Sequence, residues 1–149
     1  YVCTDGWSGV ASCPAPVTVD TDGADQDVSA TGSDRAGNTT TVRDVISIDR
    51  AAPAATIAKA NVEVGQISGT ATDALSGPGL VTVTLTDALG IQAGSTVTAT
   101  LVCNAPEAAA AIACTWTADA PSGVWSVTVT ATDLADNTVT IDGGIIVVT

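Results

Sequence analysis

Apolar and polar residues alternate one by one along several stretches of the chain. The alternation is most regular over 124–132, where Trp125, Val127, Val129 and Ala131 fall on one side and Ser126, Thr128, Thr130 and Thr132 on the other. A period of two puts successive side chains on opposite faces of a strand, so this stretch predicts one dry face and one wet face. The same reading predicts seven strands in the second part of the chain, over 54–58, 66–72, 80–86, 95–102, 112–117, 124–132 and 138–148. Earlier residues predict strands over 1–4, 17–19, 27–33 and 39–48. The alanine-rich run 105–111 predicts a single helical turn, with Pro106 tolerated near its start.

Two internal repeats organise these elements. Thr31-Gly-Ser-Asp34-Arg-Ala-Gly-Asn38-Thr-Thr-Thr41 returns as Thr130-Ala-Thr-Asp133-Leu-Ala-Asp-Asn137-Thr-Val-Thr140, 99 residues further on. Thr4-Asp5-Gly-Trp-Ser8-Gly9 returns as Thr72-Asp73-Ala-Leu-Ser76-Gly77, 68 residues further on. The difference means that the second module carries about 31 extra residues between its signature turns. The expected division is 1–50, the closing part of one module, and 51–149, a complete module enlarged around 87–121. A short linker, Asp49-Arg-Ala-Ala-Pro53, joins them, and Pro53 stiffens it by fixing φ.

Composition narrows the class. Phe, Met and His are absent, charged residues make up 13%, and Thr, Val, Ala and Gly dominate, which suits short strands. Sixteen acidic residues against four basic ones give a net charge of −12, which repels nucleic acid and anionic lipid. No apolar run reaches the roughly 18 residues that a membrane-spanning helix needs, so no membrane insertion is expected. The four cysteines form two close pairs, Cys3 with Cys13 and Cys103 with Cys114, without a histidine to complete a zinc site. Three connectivities are formally open, and local pairing meets the Cα separation limit of about 7 Å most easily. Disulfides point to an oxidising, extracytoplasmic setting; reduced buried thiols are the other reading.

The motifs Cys3-Thr-Asp-Gly-Trp-Ser-Gly-Val-Ala-Ser-Cys13-Pro-Ala-Pro, Ser33-Asp-Arg-Ala-Gly-Asn-Thr and Ile48-Asp-Arg-Ala-Ala-Pro resemble tandem bacterial immunoglobulin-like repeats of large secreted surface proteins of the adhesin type. Ile67-Ser-Gly-Thr-Ala-Thr-Asp and Val127-Thr-Val-Thr-Ala-Thr-Asp-Leu-Ala-Asp-Asn resemble the same superfamily, and Asp136 departs from the glycine that Gly37 supplies at the matching turn. The resemblance implies an all-β chain of tandem antiparallel Ig-like β-sandwiches, the first incomplete at its N-terminal side. It also implies an extracellular, cell-surface location.

Candidate chemistry is sparse. Without histidine no Ser-His-Asp or Cys-His arrangement can be assembled, and Glu63 and Glu107 read as exposed and separate, so the chain is not expected to be an enzyme. Asp5, Asp34, Asp49, Asp73 and Asp133 lie in loops where carboxylates can converge on a hard cation such as calcium. In similar Ig-like repeats calcium stiffens domain junctions, and the matching positions are Asp34, Asp49 and Asp133. The competing reading is that Asp34 and Asp133 cap their own turns. The cluster of Asp20, Asp22, Asp25 and Asp27 resembles the start of an EF-hand loop but lacks its closing glutamate. Trp125 reads as core; Trp7, in a Gly-rich loop, is the exposed aromatic on which a sugar ring can stack. Lys59 with Asn61 or Asn137 is the one pairing open to an isopeptide bond.

Together these features lead us to expect a non-catalytic structural or adhesive segment, a rod-like spacer or filament building block that requires no cofactor. Its expected partners are neighbouring Ig-like domains or subunits, possible strand donors among them through a run such as 141–149, or a surface glycan or protein. The alternative is a carbohydrate-binding or accessory module of a secreted hydrolase.

Overall fold

A computed structural model of the chain describes residues 1–61, 65–104 and 111–149. All regular structure among them is β, in three antiparallel sheets and two compact units, Tyr1–Asp49 and Arg50–Thr149. The first unit holds β1 (Val10–Ser12), β2 (Gly23–Asp34) and β3 (Thr39–Ile48), in the order β1-β2-β3. The second holds β4 (Ala54–Asn61), β5 (Gln66–Asp73), β6 (Pro78–Asp87), β7 (Ser95–Thr98), β8 (Thr100–Asn104), β9 (Ile112–Asp119), β10 (Gly123–Asp133) and β11 (Thr138–Val148). These form two sheets, β4-β5-β9-β8 and β11-β10-β6-β7.

In the second unit the two sheets close on one core. Ile67 and Ala71 of β5 and Trp116 and Ala118 of β9 meet Val81, Val83 and Leu85 of β6 and Trp125, Val127, Val129 and Ala131 of β10. Burying a Val, Leu or Ile side chain stabilises by about 1.5–3 kcal/mol, so these strict alternations fix the register. Both buried indoles keep a polar partner: Trp116 Nε1 donates to the Thr70 carbonyl at 3.3 Å and Trp125 Nε1 to the Pro121 carbonyl at 2.8 Å. Gly69 lets the Trp116 ring lie against the backbone, because a Cβ there would sit 1.9 Å from the Thr56 carbonyl oxygen and 2.5 Å from the ring. Between strands, hydroxyl pairs such as Thr56 with Thr70 at 2.7 Å and Thr130 with Thr140 at 3.1 Å line the wet faces.

The structure departs from the expected strands in three places. The stretch 95–102 is two strands in different sheets, β7 beside β6 and β8 beside β9. The chain changes sheet at buried Ala99, whose amide donates to the Val81 carbonyl at 2.9 Å. In the first unit, residues 1–4 and 17–19 form no strand. Pro14 and Pro16, just before 17–19, lack amide donors, and Cys3 is tied to Cys13 by a disulfide. Val10–Ser12 pairs with the end of β2 instead. The expected helical turn falls, except for Ala111, on residues outside those described, as do Glu63, Glu107 and the side chains of Lys59 and Asn61.

The first unit has a single sheet with unlike faces. Val28, Ala30 and Gly32 of β2 lie opposite Asp44, Val42 and Thr40 of β3 on one face. Ser29 and Thr31 lie opposite Arg43 and Thr41 on the other, where the Thr31 and Thr41 hydroxyls approach to 2.8 Å. Ala30 is the one hydrophobic residue of this unit in the buried core, and Val42 is 51% exposed.

Candidate functional site

The repeated Asp motifs build the same turns twice. In the second unit the Asp73 carboxylate accepts the Leu75 amide at 3.0 Å, the Gly77 amide at 2.7 Å and the Ser76 hydroxyl at 3.4 Å. In the first, Asp5 accepts the amides of Trp7 and Gly9 and the hydroxyl of Ser8 at the corresponding positions. Asp133 accepts the Ala135 and Asn137 amides at 2.8 and 2.9 Å and the Asn137 side chain at 2.9 Å; Asp34 does the same with Ala36 and Asn38. A backbone bond ties each pair of turns together: Leu134 N to Gly77 O at 3.0 Å, and Arg35 N to Gly9 O at 2.9 Å. These carboxylates therefore cap their own turns. Where Gly37 takes φ 91°, Asp136 takes φ 67°, so the second copy holds an aspartate in left-handed backbone.

Hydrogen bonding sets the acidity of three of these aspartates. The Asn38 side chain and amide hold the Asp34 carboxyl below the usual carboxylate range, and the Gly9 and Trp7 amides do so for Asp5. Asp87, at the end of β6, behaves alike: the amides of Leu89, Gln92 and Ile91 turn towards its carboxylate and lower its pKa.

Among the described residues of the second unit, Asp73 and Asp133 are the buried polar ones, 5% and 3% exposed, and a carboxylate oxygen of one lies within 4.8 Å of one on the other. Two adjacent buried carboxylates repel, and a bound cation relieves that repulsion. Of the residues expected to bind metal, Asp133 thus meets Asp73, which belongs to the wider set of loop carboxylates but is not singled out by the resemblance. Asp34 lies in the first unit beside Asp5, and Asp49 is the half-buried last residue of that unit. Asp25 and Asp27 lie on β2, on a strand rather than in a cation-binding loop.

Both disulfides are local. Cys3 bonds Cys13 with Cα atoms 5.8 Å apart, and Cys103 bonds Cys114 directly across β8 and β9. Trp116 and Trp125 are core, whereas Trp7 is 101% exposed on its loop. The run 141–149 lies in β11 and its end, paired along β10 from Ile141–Val129 to Val148–Gly123. No helix is long and apolar enough to cross a membrane among the described residues.

Comparison with known proteins finds no match: no family model, no curated protein and no solved structure resembles the chain closely enough to count.

Proposed function

We propose that the chain is a non-catalytic structural segment of a secreted surface protein, with its second unit serving as a linear spacer. The observation that carries this reading is the placement of the chain's entry and exit. Ala54, where β4 begins, pairs with Thr72 next to Asp73, and Val148, where β11 ends, pairs with Gly123 at the other end of the sandwich. The chain thus enters at one end and leaves at the other, which is what a linear spacer needs. The strand order supports an Ig-like arrangement, since β4-β5-β9-β8 and β11-β10-β6-β7 match the ABED and GFC sheets with an added C′ strand. The two disulfides support an extracellular setting.

Calcium is part of this proposal. Asp73 and Asp133 lie together at the entry end of the second unit. Melting with calcium and with chelator tests it. Calcium at about 100 times its Kd is expected to raise stability by about 2.7 kcal/mol, and Asp73→Asn is expected to remove that gain. An unchanged melting temperature in wild type contradicts the calcium reading.

A second reading, a carbohydrate-binding or accessory module of a secreted hydrolase, is favoured by the full exposure of Trp7. An aromatic face open to water is suited to stacking on a pyranose ring. Glycan-array binding that Trp7→Ala abolishes supports it; absence of binding to any glycan supports the spacer.

A further inference from the structure

We propose that Asp142 is a site of covalent self-modification, where the native chain converts an aspartyl link into an isoaspartyl one through a cyclic imide. The inference rests on the middle of β11 and is independent of the spacer reading. Asp142 is exposed and is followed by Gly143 and by Gly144, which takes φ 71°. Gly144 lies opposite Val127 and Asp142 opposite Thr128, so Gly143 is an extra residue, a bulge in the pairing of β11 with β10.

Packing keeps the residue after Asp142 a glycine. A Cβ on Gly143 would lie 2.8 Å from Ile57 Cδ1 and 3.1 Å from Val127 Cβ, inside the sandwich. With no side chain at 143, the amide nitrogen next to the Asp142 carboxyl is open to close approach. The Gly144 amide donates to Asp142 Oδ1 at 2.8 Å, which turns the carboxyl along the chain towards the residues that follow it. That donor is also placed to stabilise the negative charge that gathers on Oδ1 when Cγ is attacked.

The step balances with water alone. Gly143 N bonds to Asp142 Cγ, and the carboxyl's hydroxyl leaves with the amide hydrogen as one water. Water then opens the five-membered imide at one of its two C–N bonds. Opening at Cγ restores aspartate; opening at the main-chain carbonyl carbon of Asp142 leaves isoaspartate, whose backbone runs through Cβ and Cγ. Other aspartates lack this combination. At the 99-residue offset Arg43-Asp44-Val45 stands in place of Asp142-Gly143-Gly144; there β3 pairs with β2 without a break, and the residue after Asp44 is a β-branched valine. Asp5 precedes Gly6, but it accepts the Trp7 and Gly9 amides and the Ser8 hydroxyl. Three donors favour the charged carboxylate, which is a poorer electrophile than the acid.

The test incubates the 149-residue chain in mildly acidic buffer and reads isoaspartate by methyltransferase labelling, with electron-transfer fragmentation to place it. Isoaspartate is expected at Asp142 at least about tenfold above that at Asp5, and urea is expected to slow its formation at Asp142 at least about twofold, because the fold holds the reacting groups together. Asp142→Glu, at an exposed position, would need a six-membered ring and is expected to abolish the signal at 142. Asp142→Asn, which loses ammonia instead of water, is expected to speed it. No isoaspartate at Asp142, formation at Asp5 or Asp22 in its place, a rate unchanged or raised in urea, or a signal that survives Asp142→Glu would each overturn the proposal.

Discussion

Aspartate caps are the residues on which the turns depend, and their acidity gives a direct handle on them. The carboxyls of Asp5, Asp34 and Asp87 titrate below their ordinary value because backbone and asparagine donors favour the charged form. A depressed folded-state pKa contributes stability above the unfolded value of about 3.9, and that contribution is lost as pH falls through the folded pKa. Melting temperature is therefore expected to fall as pH drops below about 4. Asp34→Asn and Asp87→Asn should flatten that fall while lowering stability at neutral pH. A pH profile identical to wild type in both variants would show that these caps are energetically silent. At buried positions, Gly69→Ala forces a methyl group into Thr56 and Trp116, and a loss of at least about 3 kcal/mol in urea unfolding is expected. Trp125→Ala should cost about 3–5 kcal/mol.

Strands were legible wherever alternation ran unbroken. The expected stretches 39–48, 66–72, 124–132 and 138–148 lie within, or within a residue of, β3, β5, β10 and β11, because one face of each period-two pattern packs or is available to pack. The stretch 95–102 hid a change of sheet, since Thr and Val recur on both sides of Ala99 and a single alanine does not by itself mark a crossing point. β1 is three residues long and owes its pairing to the end of β2, a contact that no local pattern encodes. Among site residues, the turn-capping role of Asp34 and Asp133 was readable from spacing. The approach of Asp73 to Asp133 was not, because it depends on how β5 and β10 end side by side through the bond between Leu134 and Gly77. The Cys103–Cys114 bond clips the edge strand β8 to β9 across an 11-residue separation. Replacing both by serine is expected to cost about 3 kcal/mol and to loosen amide protection in β8 before β10; uniform loss across both sheets would contradict so local a role.

As a molecule, the chain comprises a closed sandwich and a unit with a single sheet. The proposed spacer role rests on the second unit, where β4 and β11 lead the chain in at one end and out at the other. Tension applied through those points runs along the strands, so the bonds between β4 and β5 and between β11 and β10 must yield together rather than one by one. Single-molecule stretching of the second unit in two geometries tests this most directly: handles at residues 50 and 149, against handles at Ala54 and Thr138, which both lie at the entry end. The account predicts a distinctly higher unfolding force between 50 and 149; equal forces, or a lower one along that axis, would contradict it.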